Sequence, residues 1–148
     1  MSLGAALRDF NVSADLREQR TSLRVSGWDE ASKSAITQEA DESAINGELD
    51  GGESGASILR LAFGERRESV NDTAPAEALF RMGARQFVTG RGIADSSALL
   101  RVGAYVDLQG LGPLFSGKYY VIEVHHLFDP AKGMRTEFAA ERPGLGRP

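Results

Sequence analysis

Lys118-Tyr119-Tyr120-Val121-Ile122-Glu123-Val124-His125-His126-Leu127-Phe128 is the stretch whose reading decides the fold. Eleven residues without Pro or Gly, rich in aromatic and β-branched side chains, are strand-like throughout. Strict alternation puts Tyr120, Ile122, Val124, His126 and Phe128 on one face and Tyr119, Val121, Glu123, His125 and Leu127 on the other. Both faces are partly apolar, so the strand is expected inside a sheet. On either side, Val102 to Leu108 and Met134 to Glu141 are further extended candidates, separated from it by Gly- or Pro-containing turns. Three antiparallel strands are predicted, with Gly110-Leu111-Gly112-Pro113 as a turn and Gly117 at the entry to the middle strand.

Upstream, Phe10, Val12, Ala14 and Leu16 alternate with Asn11, Ser13 and Asp15, a strand with one buried face. After the polar break Arg17 to Arg20, Leu23 and Val25 begin a second strand running to Gly27-Trp28-Asp29, and the two are expected to form a meander. Lys33 to Ala40 is a weaker third strand, and residues 41–57, rich in Gly, Glu, Asp and Ser, read as a loop. Ile58, Leu59, Leu61 and Phe63 suggest a short strand, and Glu65 to Glu68 a charged turn or strand end. Asp72-Thr73-Ala74-Pro75 offers an N-cap and a first-turn Pro, with Glu77 suited to the positive helix end. Ala76, Leu79, Phe80, Gly83 and Ala84 then fall at helical spacing, so one principal helix is predicted inside 72–88. The fold class expected is mainly β (α+β): a small antiparallel barrel or rolled sheet with one helix, in a single domain over residues 1–148, since closure removes exposed sheet edges.

Composition narrows the function classes. Hydrophobic residues at 41% and charged residues at 26% are ordinary for a globular chain, so neither wholesale disorder nor a membrane protein is indicated. No apolar run approaches the ~20 residues a spanning helix needs, and no export signal is evident at the N-terminus. Met1-Ser2-Leu3 has the look of a cloning remnant, and the chain is treated as a fragment of a longer protein. The absence of Cys excludes thiol chemistry and thiolate metal sites. A net charge of -4 makes nucleic acid an unexpected partner.

Candidate chemistry is sparse. His125 and His126 are neighbours in a strand, so they point to opposite faces and cannot readily share one metal ion or proton. Glu123 shares a face with His125, but no Ser sits in a nucleophile context. Gly90-Arg91-Gly92 lacks phosphate-loop spacing and reads as a bend in a strand. Asp41, Glu42, Glu48, Asp50 and Glu53 do not follow a calcium-loop pattern and read as solvated acids. Trp28 reads as a core or interface anchor. No catalytic, cofactor-binding or metal-ligating residue is assigned, and the chain is expected not to be an enzyme. Two other classes stand beside this. A saccharide- or small-molecule-binding barrel would gather Trp28, Tyr105, Tyr119 and Tyr120 around one pocket. A peptidoglycan hydrolase would need a paired acid and nucleophile across a cleft, which no segment announces.

A resemblance extends this reading. Thr21 to Asp29, with Lys33 and Ala35-Ile36, resembles the strand and turn of the phage late control gene D family. Downstream, Arg101-Val102-Gly103, Leu108 to Gly112, Phe115 to Val121, Val124-His125-His126, Thr136-Glu137-Phe138 and Arg142 resemble that family's closing barrel, in the same order. The resemblance covers residues 7 to 142; the stretch 46 to 55 and the helix near 74 to 86 are its least family-like parts. It implies the C-terminal portion of a baseplate hub, like the base of type VI secretion spikes. Three subunits of two barrels each would there form a pseudo-sixfold ring between tail tube and spike. The partners implied are further copies of the chain as a homotrimer, the tube and the spike. The location implied is the bacterial cytoplasm during assembly, then a virion tail or injection-machine baseplate.

Overall fold

In the computed structural model, which describes residues 7–29, 31–49, 52–95, 100–131 and 133–146, the chain opens with β1 (Leu7–Ala14), β2 (Ser22–Asp29) and β3 (Ser34–Asp41). A 3-10 turn (Glu42–Ile45), the short helix α1 (Asn46–Leu49) and the two-residue β4 (Glu53–Ser54) follow. Then come α2 (Gly55–Phe63), β5 (Arg67–Asn71), α3 (Ala76–Arg85), β6 (Val88–Asp95), β7 (Tyr105–Leu108), β8 (Gly117–Asp129), β9 (Gly133–Arg142) and β10 (Gly144–Leu145). The chain is mainly β, as expected.

Five strands in the order β1-β6-β9-β8-β7, all antiparallel, make one sheet curled into a half-barrel. The expected three-stranded C-terminal unit is its β9-β8-β7 part. Strict alternation along β8 fails at one place. Val121 pairs with Ala140 and Glu123 with Ala139, so Ile122 is an extra, bulged residue. The bulge keeps Tyr119, Val121 and then Val124 on the core side, where simple period 2 puts Val124 on the opposite face from Tyr119. That core also holds Leu7, Val88, Leu100, Leu108 and Phe138, all buried. Gly117, at φ 144°, enters β8 with the buried Arg142 guanidinium only 2.9 Å from where a Cβ would stand.

β1 and β2 are not a meander. β1 pairs with β6, and β2 belongs to a second sheet of order β3-β2-β5, antiparallel to β3 and parallel to β5. Periodicity identifies strands but carries no information about their partners, and here the chain between them crosses from one sheet to the other. β5 itself goes unrecognised by hydrophobic pattern, because Val70 is its one apolar residue. A second apolar cluster, with Leu23, Val25, Ile45, Ala56, Phe80 and Ala84, joins this sheet to the helices.

The segment expected as a loop at 41–57 is mostly built of short elements; Asp50 and Gly51 lie outside the described residues. Asp41 caps the 3-10 turn by accepting from the Ser43 N–H at 2.9 Å. The strand expected at Ile58–Phe63 is instead the helix α2: Ser54 accepts from the Ser57 N–H at 3.0 Å, and Ala56 and Leu59 turn inward. A short apolar run fits either conformation, and a cap four residues upstream decides it. Ser54 is buried and also donates to Glu42 Oε2 at 2.9 Å. Ser54→Ala is therefore expected to lower the unfolding free energy by about 1 kcal/mol in urea titration, and an unchanged midpoint would show that the Ser54 cap does not stabilise α2.

Helix α3 lies inside the expected 72–88 window, with Glu77 in its first turn and Arg85 in its last. Its N-cap is Pro75 rather than Asp72, whose carboxylate instead accepts from the Ala74 N–H at 2.9 Å in a local turn. The helix is amphipathic, burying Ala76, Phe80 and Ala84. Two helices of nine and ten residues are thus present where one was predicted.

Candidate functional site

The two histidines behave as the strand geometry requires. His126 faces the core side, its Nδ1 hydrogen-bonded to the Thr136 hydroxyl at 2.8 Å. His125 lies on the outer face, its Nε2 2.8 Å from Glu123 Oε1, and Arg91 donates to the other oxygen of Glu123 at 3.1 Å. Registry across three strands assembles this row, since Arg91 and Glu123 both pair with Ala139. With Asp9, Asn11, Ile93 and Glu137, these side chains line a shallow cleft of ≈ 180 Å³.

Hydrogen bonds from His125 and Arg91, then the Arg91 charge, hold the Glu123 carboxyl below the ordinary range. A general acid for glycoside cleavage needs the opposite shift, so Glu123 is suited to stay ionised and paired. The fragment Gly90-Arg91-Gly92 is not a bend but an uninterrupted part of β6, running from Val88 to Asp95. Its glycines leave space for the Phe10 ring on the core side, while Arg91 projects outward.

The acids of the 41–53 region are engaged by protein groups. Glu42 pairs with Arg60, Glu48 with Arg85, and Glu53 accepts from the Ser57 hydroxyl at 3.5 Å. Asp50 lies outside the described residues. Among the described residues no group of three or more His, Asp or Glu is placed to hold a metal ion. No described helix is long and apolar enough to cross a membrane.

The four rings of the stacking-platform reading do not converge. Tyr119 is fully buried, edge-on to Phe10 with centroids 5.5 Å apart, and donates to the Phe115 carbonyl at 2.6 Å. Tyr105 and Tyr120 meet edge to face at 5.3 Å on the other side of the sheet. Trp28 belongs to the second sheet and is 60% exposed, so of the two expected roles, core or interface anchor, the core role is excluded.

Sequence reasoning missed the densest polar cluster. Arg85, at the end of α3, makes a two-pronged ion pair with Glu48 of α1 and stacks over the Tyr120 ring at 4.0 Å. The Tyr105 hydroxyl donates to Glu48 at 3.1 Å, and Lys118 Nζ lies 4.6 Å from the Tyr105 ring centre. Burial works to raise the Glu48 pKa, but Arg85 and then Tyr105 overcome it and hold the carboxyl below its usual value. Burial raises Tyr105, and Glu48 adds to that. Nearby, burial raises Glu141 above the ordinary range, with Arg85 in partial opposition. The cluster ties the helices to the five-stranded sheet.

The family model of the Alg8 N-terminal domain matches residues 1–129. The chain belongs to the Alg8 N-terminal domain family. That description differs from the late control gene D family expected from the sequence. No curated protein matches the sequence of this Alg8 N-terminal domain chain. Among solved structures, it is similar to the 43 kDa tail protein of prophage MuSo2 from Shewanella oneidensis, with a TM-score of 0.51 at 12% identity over 97% of this chain and 43% of that one. Also similar are the tail protein from Neisseria meningitidis MC58 (TM-score 0.49, 10% identity, 95% and 41% covered) and prophage tail protein gp18 from Listeria monocytogenes EGD-e (0.44, 11%, 95% and 40%). At such identities the likeness is one of fold. The chain spans about two fifths of the length of these tail proteins.

Proposed function

We propose that this chain is a structural part of a phage tail or contractile-injection baseplate hub and not an enzyme. In this reading it is the C-terminal portion of a longer hub protein of the late control gene D type. Three copies of that protein join the tail tube to the spike through a pseudo-sixfold ring, assembled in the bacterial cytoplasm and carried in the tail or baseplate. The observation that carries the reading is the half-barrel and its attached helical sheet, a fold shared over 97% of the chain with the MuSo2 tail protein. Two features support it: the outer-face carboxylate Glu123 is tied up by Arg91 and His125, and the aromatic side chains are spread over separate surfaces.

The test is complementation of a tail-defective phage or injection system with variants of the full-length protein. Arg101 is exposed, and Arg101→Glu is expected to impair baseplate assembly while leaving the circular dichroism unchanged. Lys118 is a poorer probe, because it contacts Tyr105 and the Gly47 carbonyl. His125→Asn and His126→Asn are expected to assemble normally, the latter at a cost of ~1 kcal/mol for a disturbed hydrogen bond. A folded His125→Asn protein that assembles but does not function would identify the cleft as an active site and overturn the reading.

A further inference from the structure

We infer that β3 is a self-pairing edge, through which two copies of this chain join their three-stranded sheets across a two-fold axis at Thr37. The proposal stands apart from the hub reading, whose ring is threefold.

Edges of sheets invite strand addition, and proteins usually blunt them. The five-stranded sheet does so at both ends: β1 carries a register break between Leu7 and Asp9, and β7 has only four residues. On the far side of the second sheet, β5 has five residues and begins with the charged pair Arg67-Glu68. β3 is neither short nor broken, and its two charges, Glu39 and Asp41, lie at its end. Its eight residues, Ser34-Ala-Ile-Thr-Gln-Glu-Ala-Asp41, pair with β2 in unbroken register and contain no Pro, Lys or Arg. Every residue from Ser34 to Glu39 is exposed, and among the described residues β2 is the one strand it pairs with. Beside it, Trp28 and Ile36 add exposed apolar surface.

The occupant follows from the strand's own pattern. Directly opposed residues of an antiparallel ladder are either both hydrogen-bonded or both not, and outward-pointing N–H groups alternate along a strand. Two copies of one strand therefore pair residues of equal parity, so the opposed residue numbers sum to an even number. Two such registers overlap seven residues. With Gln38 on the axis, Glu39 faces Thr37 and the two Gln38 side chains oppose each other. With Thr37 on the axis, Thr37 faces Thr37 of the second copy, Ile36 faces Gln38, Ala35 faces Glu39 and Ser34 faces Ala40. Opposed Thr pairs stabilise antiparallel strands, so this register is the complementary one. It is isologous, closing at two copies with no further edge propagated.

The test uses the 148-residue chain itself. Sedimentation equilibrium is expected to give twice the 15.9 kDa chain mass. Thr37→Lys sets two ammonium groups against each other on the axis and is expected to yield a folded monomer. Thr37→Cys, in a chain without Cys, is expected to give a disulfide-linked dimer on oxidation, since opposed Cα atoms at about 4.5–5.5 Å suit the bond. Ser26→Cys, across from Thr37 on the central strand, is expected not to crosslink. A chain that stays monomeric and whose Thr37→Cys variant fails to crosslink overturns the proposal. So does a trimer indifferent to Thr37→Lys, an outcome that would leave the hub reading standing.

Discussion

Gly90→Val is expected to cost about 3 kcal/mol of unfolding free energy, the upper part of the range for overpacked cores, seen as an early denaturation midpoint. Gly90 sits in β6 opposite Val12 on one side and Ala140 on the other, so its missing side chain faces the core. A Cβ there stands 2.5 Å from Phe10 Cζ and 2.8 Å from the Asn11 carbonyl oxygen. The backbone oxygen cannot move without breaking the β1–β6 ladder. The ring cannot move freely either, because it is stacked on Phe138 at 5.9 Å and edge-on to Tyr119 at 5.5 Å. Gly92 is as tightly placed, with Phe10 Cδ2 at 2.7 Å. Gly47→Ala is the matching control: nothing lies within 4 Å of its added methyl, and the exchange in a helix should be neutral or mildly stabilising. A loss under about 1 kcal/mol for Gly90→Val would show that Phe10 has room to retreat and that this core is loosely filled.

The same contact explains what could be read from the sequence. Phe10 and Val12 announce a strand with one buried face, and the long C-terminal strands announce themselves by alternation. Both signals are local, and both strands form. That Phe10 should lie over Gly90 and Gly92 is a pairing across some 80 residues, which alternation cannot encode. The glycines looked like a bend for this reason: a residue chosen for what packs on it resembles one chosen for its backbone freedom. Helix α2 is not legible in sequence because Ile58 to Phe63 holds too few residues to separate a period of 2 from 3.6, and Leu61 and Phe63 remain exposed in the folded chain. The bulge at Ile122 is likewise silent, since Val-Ile-Glu-Val reads as regular strand.

For the candidate site, legibility follows sequence separation. Glu123 and His125, two apart on one strand, were predicted to share a face, and they are hydrogen-bonded. Arg91 completes that row from 32 residues away and was seen only as part of a glycine-rich motif. The Glu48–Arg85–Tyr105 cluster spans 57 residues, and its acid lay in a stretch read as a solvated loop. Arg85 itself, in the last turn of a helix, is accounted for in sequence by the helix dipole alone and does not point to Glu48.

Removing that Arg is the second large effect. Arg85→Ala is expected to cost about 3 kcal/mol, because Glu48 and Arg85 are only 12% and 15% exposed, and breaking such a pair leaves an uncompensated charge in a desolvated place. Arg85→Lys should recover only part of this, since an ammonium cannot reproduce the two-pronged contact with Glu48 and the stacking on Tyr120. The pH dependence separates the ion pair from simple loss of packing. The folded chain holds Glu48 below its usual pKa, so the pair's contribution is complete above the unfolded carboxylate value of about 4.3 and is lost as pH falls through the folded value. Glu141 has the opposite sign. Its pKa is raised by burial, so its neutral form favours the fold in acid, and that benefit is lost as pH rises past the unfolded value. Arg85→Ala also removes the charge that opposes this shift, which makes the variant relatively better off in acid on both counts. Urea midpoints measured between pH 7 and pH 3 are therefore expected to converge for the wild type and Arg85→Ala as pH falls. A gap that stays constant across this range would mean that Arg85 acts through its contact with Tyr120 and the hydrocarbon stem rather than through Glu48.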